Sequence, residues 1–245
     1  MSSSMTSLPI VFAPGMMCDA DLFEEQVRKM RIERSVHVAD FAKDETVPAM
    51  ARRLLATAPL RFFLAGLSMG GIVAFEVIRI APERVAGLAL LNTTPFADSP
   101  ARSQTRLSQI SRVREGMLKT VVMEELKPNY LAEPHKRDQA LLDAIYAMAE
   151  RLGPEVFVQQ SRALMGRKDS TDTLAEIKCP TLILAGEEDD VCPPELHEIM
   201  HAGIKGSALE VLPRCGHLST MESPQAVTTL LDRQIEQAER MMATS

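Results

Sequence analysis

Two short patterns in this chain could do chemistry, and each asks for a different kind. His197-Glu198-x-x-His201 sets two imidazoles one helical turn apart beside a carboxylate, a spacing that can hold zinc and activate its bound water. Gly66-Leu67-Ser68-Met69-Gly70 brackets a serine with glycines in a stretch that reads as strand, turn and helix. That second pattern is nucleophilic. A sharp turn would lift the Ser68 hydroxyl clear of a sheet, and the glycines would let neighbouring backbone approach without a Cβ clash.

A serine hydroxyl is a poor nucleophile near neutral pH and needs a base, which in turn needs a carboxylate to orient it. The apolar run "SALEVLP" leads into "RCGHLSTMESP", which puts His217 in the following loop. The run "PTLILAG" leads into "EEDDVCPP", which puts Asp189, between Glu188 and Asp190, in another. Serine, acid and histidine thus follow in the chain order of an elbow serine, each beyond the carboxyl end of a strand. The negative oxygen of a tetrahedral intermediate needs donors as well. The N–H of Met69, next to the nucleophile, and that of Met16, in the loop after "PIVFAPG", are the candidates. Met16, Met17 and Met69 would make an apolar, adaptable acyl pocket. Arg162 and Arg167 stand where either could clamp a substrate carboxylate.

The zinc pattern fares worse. Its third ligand would have to be Glu222, which adjoins the histidine loop already accounted for. On a helical wheel Leu196, Ile199, Met200 and Ile204 share one face, with His197 and His201 at its edge, as on a helix packed against a sheet. His37 and His135 have no identifiable partner. Cys18, Cys192 and Cys215 fall in loops near the same rim and could gather there. Packing as small hydrophobes explains them and Cys179 more simply, and their spacing is not that of a disulfide framework.

The elements that must position these residues read from the apolar runs. "LPIVFAP", "SVHVAD", "RFFLAG", "VAGLALLN", "PTLILAG" and "SALEVLP" are mostly continuous, as strands covered on both faces are. Helical stretches separate them, "DADLFEEQVRKM", "ETVPAMARRLLATA" and "MGGIVAFEVIRIAPERV" first. That alternation predicts a mostly parallel sheet of about six strands flanked by helices. About 80 residues then pass before the next strand. They read as helices punctuated at Gly116, Pro128 and Gly153-Pro154, with Ser99-Pro100 opening the first. The prediction is a core of residues 1–94 and 176–245 with a helical cap over residues 95–175. The tail "SPQAVTTLLDRQIEQAERMM" closes with a helix that Ser223 could cap and Pro224 could begin.

Bulk composition sets outer limits. The chain has 245 residues, 46% hydrophobic and 24% charged, with a formal charge of −6, which suits a globular protein and offers nucleic acid no basic block. No apolar run is long enough to span a bilayer. The start "MSSSMTSLPIVF" has neither a basic leader nor a full signal core, so a cytoplasmic location is expected. No signal for oligomeric state is present.

In "GLSMGG", "GEEDDVCPP" and "CGHLSTMESP", the chain resembles the α/β-hydrolase superfamily over nearly its whole length. The resemblance implies Ser68 as nucleophile, His217 as base and, three residues after Gly186, Asp189 as acid. "APG" stands where many relatives carry His-Gly, and the sheet is expected to lack the family's leading hairpin. "LALLNTTPF" followed by a helical cap looks most like the enol-lactonase and small carboxylesterase branch. The expected activity is hydrolysis of a small-molecule ester or lactone through an acyl-enzyme, with no metal or organic cofactor. C–C bond hydrolysis, acyl transfer and cofactor-free haloperoxidation use the same scaffold, and so does a non-catalytic ligand-binding shell.

Overall fold

In a computed structural model that describes residues 7–244, six strands form one sheet, all neighbours parallel, in the order β2-β1-β3-β4-β5-β6. The strands are β1 (Ile10–Ala13), β2 (Val36–Val38), β3 (Phe62–Leu67), β4 (Val85–Leu91), β5 (Thr181–Gly186) and β6 (Ala208–Leu212). Every residue of β1, β3, β4 and β5 is buried, whereas the edge strands β2 and β6 are half-exposed. Continuous apolar sequence therefore marks the middle of the sheet only. The expectation about a leader falls partly on residues 1–6, which lie outside the described residues.

Alternation along each strand feeds two cores. Val11, Leu64, Leu88, Leu90 and Ile183 face one apolar cluster, while Ile10, Phe12, Phe63, Ala89 and Leu184 face the other. Helices α2 (Val47–Thr57) and α3 (Met69–Ile80) cover the first face; α1 (Glu24–Met30) covers the second. Thr46 caps α2 by accepting from the Ala49 amide at 3.3 Å, with Pro48 in the first turn. Helix α3 is buried over most of its length, as its sequence, apolar nearly all round, requires.

Between β4 and β5 the chain is helical. Helix α4 (Pro100–Arg114) starts at Ser99, whose hydroxyl accepts from the Arg102 amide at 3.1 Å. A π-helical turn, Val121–Leu126, leads to the long α5 (Gln139–Met165), interrupted at Gly153, where φ is 77° and Pro154 follows. The two ends of this segment meet: the Ser170 amide donates to the Pro95 carbonyl at 2.7 Å. Helices α6 (Pro194–Gly203) and α7 (Pro224–Ala243) complete the fold on opposite faces of the sheet. Ser223 stands at the N-terminus of α7, but its side chain makes no capping bond. None of the described helices is long and apolar enough to cross a membrane.

Candidate active site

Ser68 sits between the last residue of β3 and the first of α3 with φ 55° and ψ −115°. That conformation is strained for a residue with a Cβ and persists only where surroundings over-determine it. They do. The Ser68 amide donates to the Leu91 carbonyl at 2.9 Å, and its own carbonyl accepts from the Thr93 hydroxyl at 2.7 Å. The flanking glycines are steric requirements, since a Cβ on Gly66 would strike the Gly70 carbonyl and one on Gly70 that of Ala13.

From this turn a hydrogen-bonded line runs inward. The Ser68 hydroxyl lies 2.8 Å from His217 Nε2, and His217 Nδ1 lies 2.9 Å from Asp189 Oδ2 and 3.0 Å from Oδ1. The carboxylate requires the proton on Nδ1, which leaves Nε2 to accept from serine. Asp189 also accepts from the amides of Val191 at 2.9 Å and Cys192 at 2.8 Å, and from Asn92 Nδ2 at 3.0 Å. Burial alone would push its carboxyl up. The His217 charge and hydrogen bond, with the Cys192 and Asn92 bonds, outweigh that and hold it below the ordinary value.

The histidine loop is fixed by groups that lie far away in sequence. Asn92, at φ 47°, donates to the Gly216 carbonyl at 3.0 Å. The Glu222 carboxylate accepts from the amides of Gly216 and Leu218 at 3.1 Å and of Ala132 at 2.8 Å. The His217 amide donates to the Tyr130 carbonyl at 2.7 Å, and the two rings pack with centroids 5.4 Å apart. Desolvation is the larger effect at Glu222 and raises its carboxyl despite the three amides.

Two residues lining the same cavity as the nucleophile carry amides without an acceptor. Among the described residues nothing takes the N–H of Met69, the first residue of α3, or that of Met16. The neighbouring Met17 amide is occupied, donating to Gln160 Oε1 of α5 at 2.8 Å. Met16, Met69, Ser68 and His217 line one cavity of about 330 Å³ under the helical segment. Leu126, Leu164, Ile72, Phe96, Val191 and Leu196 supply much of its apolar wall. A hydroxyl, an imidazole and two unclaimed amides on one small cavity are suited to attack on a carbonyl.

A family model described as "Alpha/beta hydrolase family" matches residues 10–230. The chain belongs to that family. As a hydrolase it is similar to the pimeloyl-[acyl-carrier protein] methyl ester esterase of Neisseria meningitidis serogroup C, 25% identical over 205 residues, covering 78% of this chain and 76% of the relative. Among solved structures, a thermophilic esterase from Thermogutta terrifontis, with malate bound, superposes with a TM-score of 0.87 at 31% identity, covering 96% of this chain and 91% of the other. The enol-lactonase from Burkholderia xenovorans shares the fold, with a TM-score of 0.85 at 20% identity over 96% of this chain and 94% of its own.

Against this hydrolase site, several expected residues move. Arg167 lines the cavity, but Arg162 is half-exposed and paired to Glu45 at 3.5 Å on the outside. Met17 is buried in the core and takes no part in the cavity wall. In α6 the inward face is carried by His197, Met200 and Ile204, while Ile199 is 43% exposed, so the helix is rotated from the expected wheel. His197 Nδ1 donates to the Pro193 carbonyl at 3.2 Å and Nε2 accepts from the Thr93 amide at 3.2 Å; His201 turns outward to Ser207. With Glu222 spent on backbone amides, the zinc pattern has no third ligand there. Among the described residues no three His, Cys, Asp or Glu side chains gather at metal-binding spacing. Burial raises the thiols of Cys18 and Cys215 to about 12 and that of Cys192 further, so none is an activated nucleophile. His37, expected to be alone, meets the Ser35 hydroxyl at 3.1 Å.

Sequence reading did not find Asn92, Tyr130 or the cavity charges Asp98, Arg102 and Arg106, and weighed Glu222 only as a zinc ligand, not as the acceptor that holds the histidine loop. Only Asn92 carried a signal: a polar residue directly after a strand of the parallel sheet, where sites of such sheets lie.

Proposed function

We propose that the protein is a serine hydrolase that cleaves a carboxylic ester or lactone through an acyl-enzyme. The observation that carries this reading is the unbroken line from the Ser68 hydroxyl through His217 to Asp189, whose serine end shares a cavity with the two residues of unclaimed amide. In the proposed cycle His217 Nε2 takes the Ser68 proton as Oγ attacks the carbonyl carbon. The Met16 and Met69 amides hold the resulting oxyanion, aided by the positive end of α3. His217 then returns the proton to the departing alkoxide, and the acyl group stays on Ser68. Water, deprotonated by the same imidazole, attacks the acyl carbon and releases the acid. Asp189 keeps Nδ1 protonated and stabilises the imidazolium formed at each step. The helical segment of residues 95–175 acts as a cap that shapes the cavity and limits water entry.

The test is covalent. A fluorophosphonate should label the wild-type protein on Ser68, located by peptide mass spectrometry, and p-nitrophenyl butyrate should turn over. In Ser68→Ala the label should vanish and kcat should fall roughly 10⁶-fold. Labelling elsewhere, or turnover that survives Ser68→Ala, overturns the reading.

A further inference from the structure

The cavity wall mixes apolar side chains with a set of charged ones. Its charged lining residues are Asp98, Arg102, Arg106 and Arg167, three cations against one anion. Asp98 is fully engaged: Arg106 Nε donates to its Oδ2 and Arg167 Nη1 to its Oδ1, each at 2.6 Å. All three side chains of this triad are more than nine-tenths buried. One buried carboxylate shared by two buried guanidiniums leaves a positive charge uncompensated away from water, an expensive arrangement unless an anion completes it.

The donors are also underused. The acceptor for Arg106 Nη1 is the thioether of Met16 at 3.5 Å, a weak one. Arg102, two residues inside the start of α4, is exposed at the cavity mouth and has no ion-pair partner among the described residues. Location ties this charge to the reaction. Met16 touches Arg106 with its sulfur while its amide is one of the two donors proposed to hold the oxyanion. A group bound by these arginines would lie within a few bonds of the carbonyl being attacked. A guanidinium fork matches a carboxylate in shape and charge, and the small cavity suits a short, compact substrate.

We infer that the substrate carries a free carboxylate besides the bond being cleaved, and that Arg102, with the spare donors of Arg106 and Arg167, receives it. The assignment rests on the proposed esterase reading and narrows it to half-esters of short dicarboxylic acids and carboxylate-bearing lactones. A neutral ester would leave the guanidinium excess unpaired and bind less well.

The experiment compares kcat/KM for monomethyl glutarate and dimethyl glutarate by pH-stat. The wild type should prefer the half-ester by at least about 10-fold, and added 0.5 M NaCl (about a 4 Å screening length) should reduce that preference. Arg102→Met should lower the ratio about 10- to 100-fold, the range for a lost charge-assisted hydrogen bond, acting mainly through KM. Arg102→Lys, which keeps the charge without the fork, should fall between. Arg52→Met, which removes an exposed charge from α2, should leave the ratio as it is. A wild type that prefers the diester overturns the inference. So does a ratio equal in Arg102→Met and Arg52→Met, which would mean that the charges serve the oxyanion or the fold. If Ser68 still takes the fluorophosphonate in either event, the esterase reading stands and only the carboxylate subsite falls. If neither ester turns over and Ser68 stays unlabelled, both fall together.

Discussion

Two buried histidines sit side by side beneath the loop after β4, and their surroundings separate them. His217 has a carboxylate behind its Nδ1 and a hydroxyl in front of its Nε2. His197 has a carbonyl behind Nδ1 and a backbone amide in front of Nε2. Both rings are locked in the same tautomer. The difference is charge. Asp189 places a full negative charge against an imidazolium, whereas at His197 burial outweighs the dipole of the Pro193 carbonyl and pushes the imidazole below its ordinary value. His197 is thus built to stay neutral and brace the Thr93 amide, beside the hydroxyl that bonds the Ser68 carbonyl. The orienting partner, more than burial or position, divides a ring suited to proton transfer from one suited to support.

The contrast can be broken at four residues. The largest effect should come from His217→Ala, with kcat on p-nitrophenyl butyrate falling about 10⁵-fold or more while circular dichroism still reports a folded protein. Asp189→Asn should follow, at about 10⁴-fold in kcat, because the imidazole loses the partner that fixes its tautomer and charge. The same change has a pH signature. The folded-state value of Asp189 lies below its ordinary value of about 3.8, so its stabilisation is present above that pH and is lost as pH falls through the folded value. Thermal melts from pH 6 to pH 3 should therefore fall more steeply in the wild type than in Asp189→Asn.

His197→Ala should invert the pattern of His217→Ala. A cavity and an unpaired Thr93 amide should cost about 2–4 kcal/mol, read as a drop of several degrees in Tm, with kcat reduced less than about 10-fold. His197 is lowered from 6.5 by burial, so the stability gained from its neutral form is present above that pH and drains away toward its folded value as the solution acidifies. His197→Gln should flatten the melting profile between pH 7 and pH 5. The smallest effect belongs to His201→Ala, on the exposed side of α6: no measurable change in kcat, with or without EDTA. A large loss there would restore the metal reading of His197 and His201.

Ser68, Asp189 and His217 were legible because each stands at a fixed offset from a strand end, and parallel strands gather their carboxyl ends on one rim. Asn92, Tyr130 and Glu222 were not, because what makes them matter is contact across the fold: Asn92 meets Asp189 97 residues away, and Glu222 meets Ala132 90 residues away. The arginines show a similar limit. Arg162 and Arg167 looked equivalent in sequence, yet Arg167 follows the end of α5 and turns back onto Phe96 and Asp98, while Arg162 lies on the helix's outer side. The face of α6 was misjudged because hydrophobicity cannot anticipate that an imidazole, given a carbonyl and an amide, will outcompete Ile199 for the interior.

The bonds from Tyr130, Ala132 and Glu133 to the loops bearing His217 and Glu188 act as a tether along one border of the roof. Swinging that border outward would drag the imidazole from its serine.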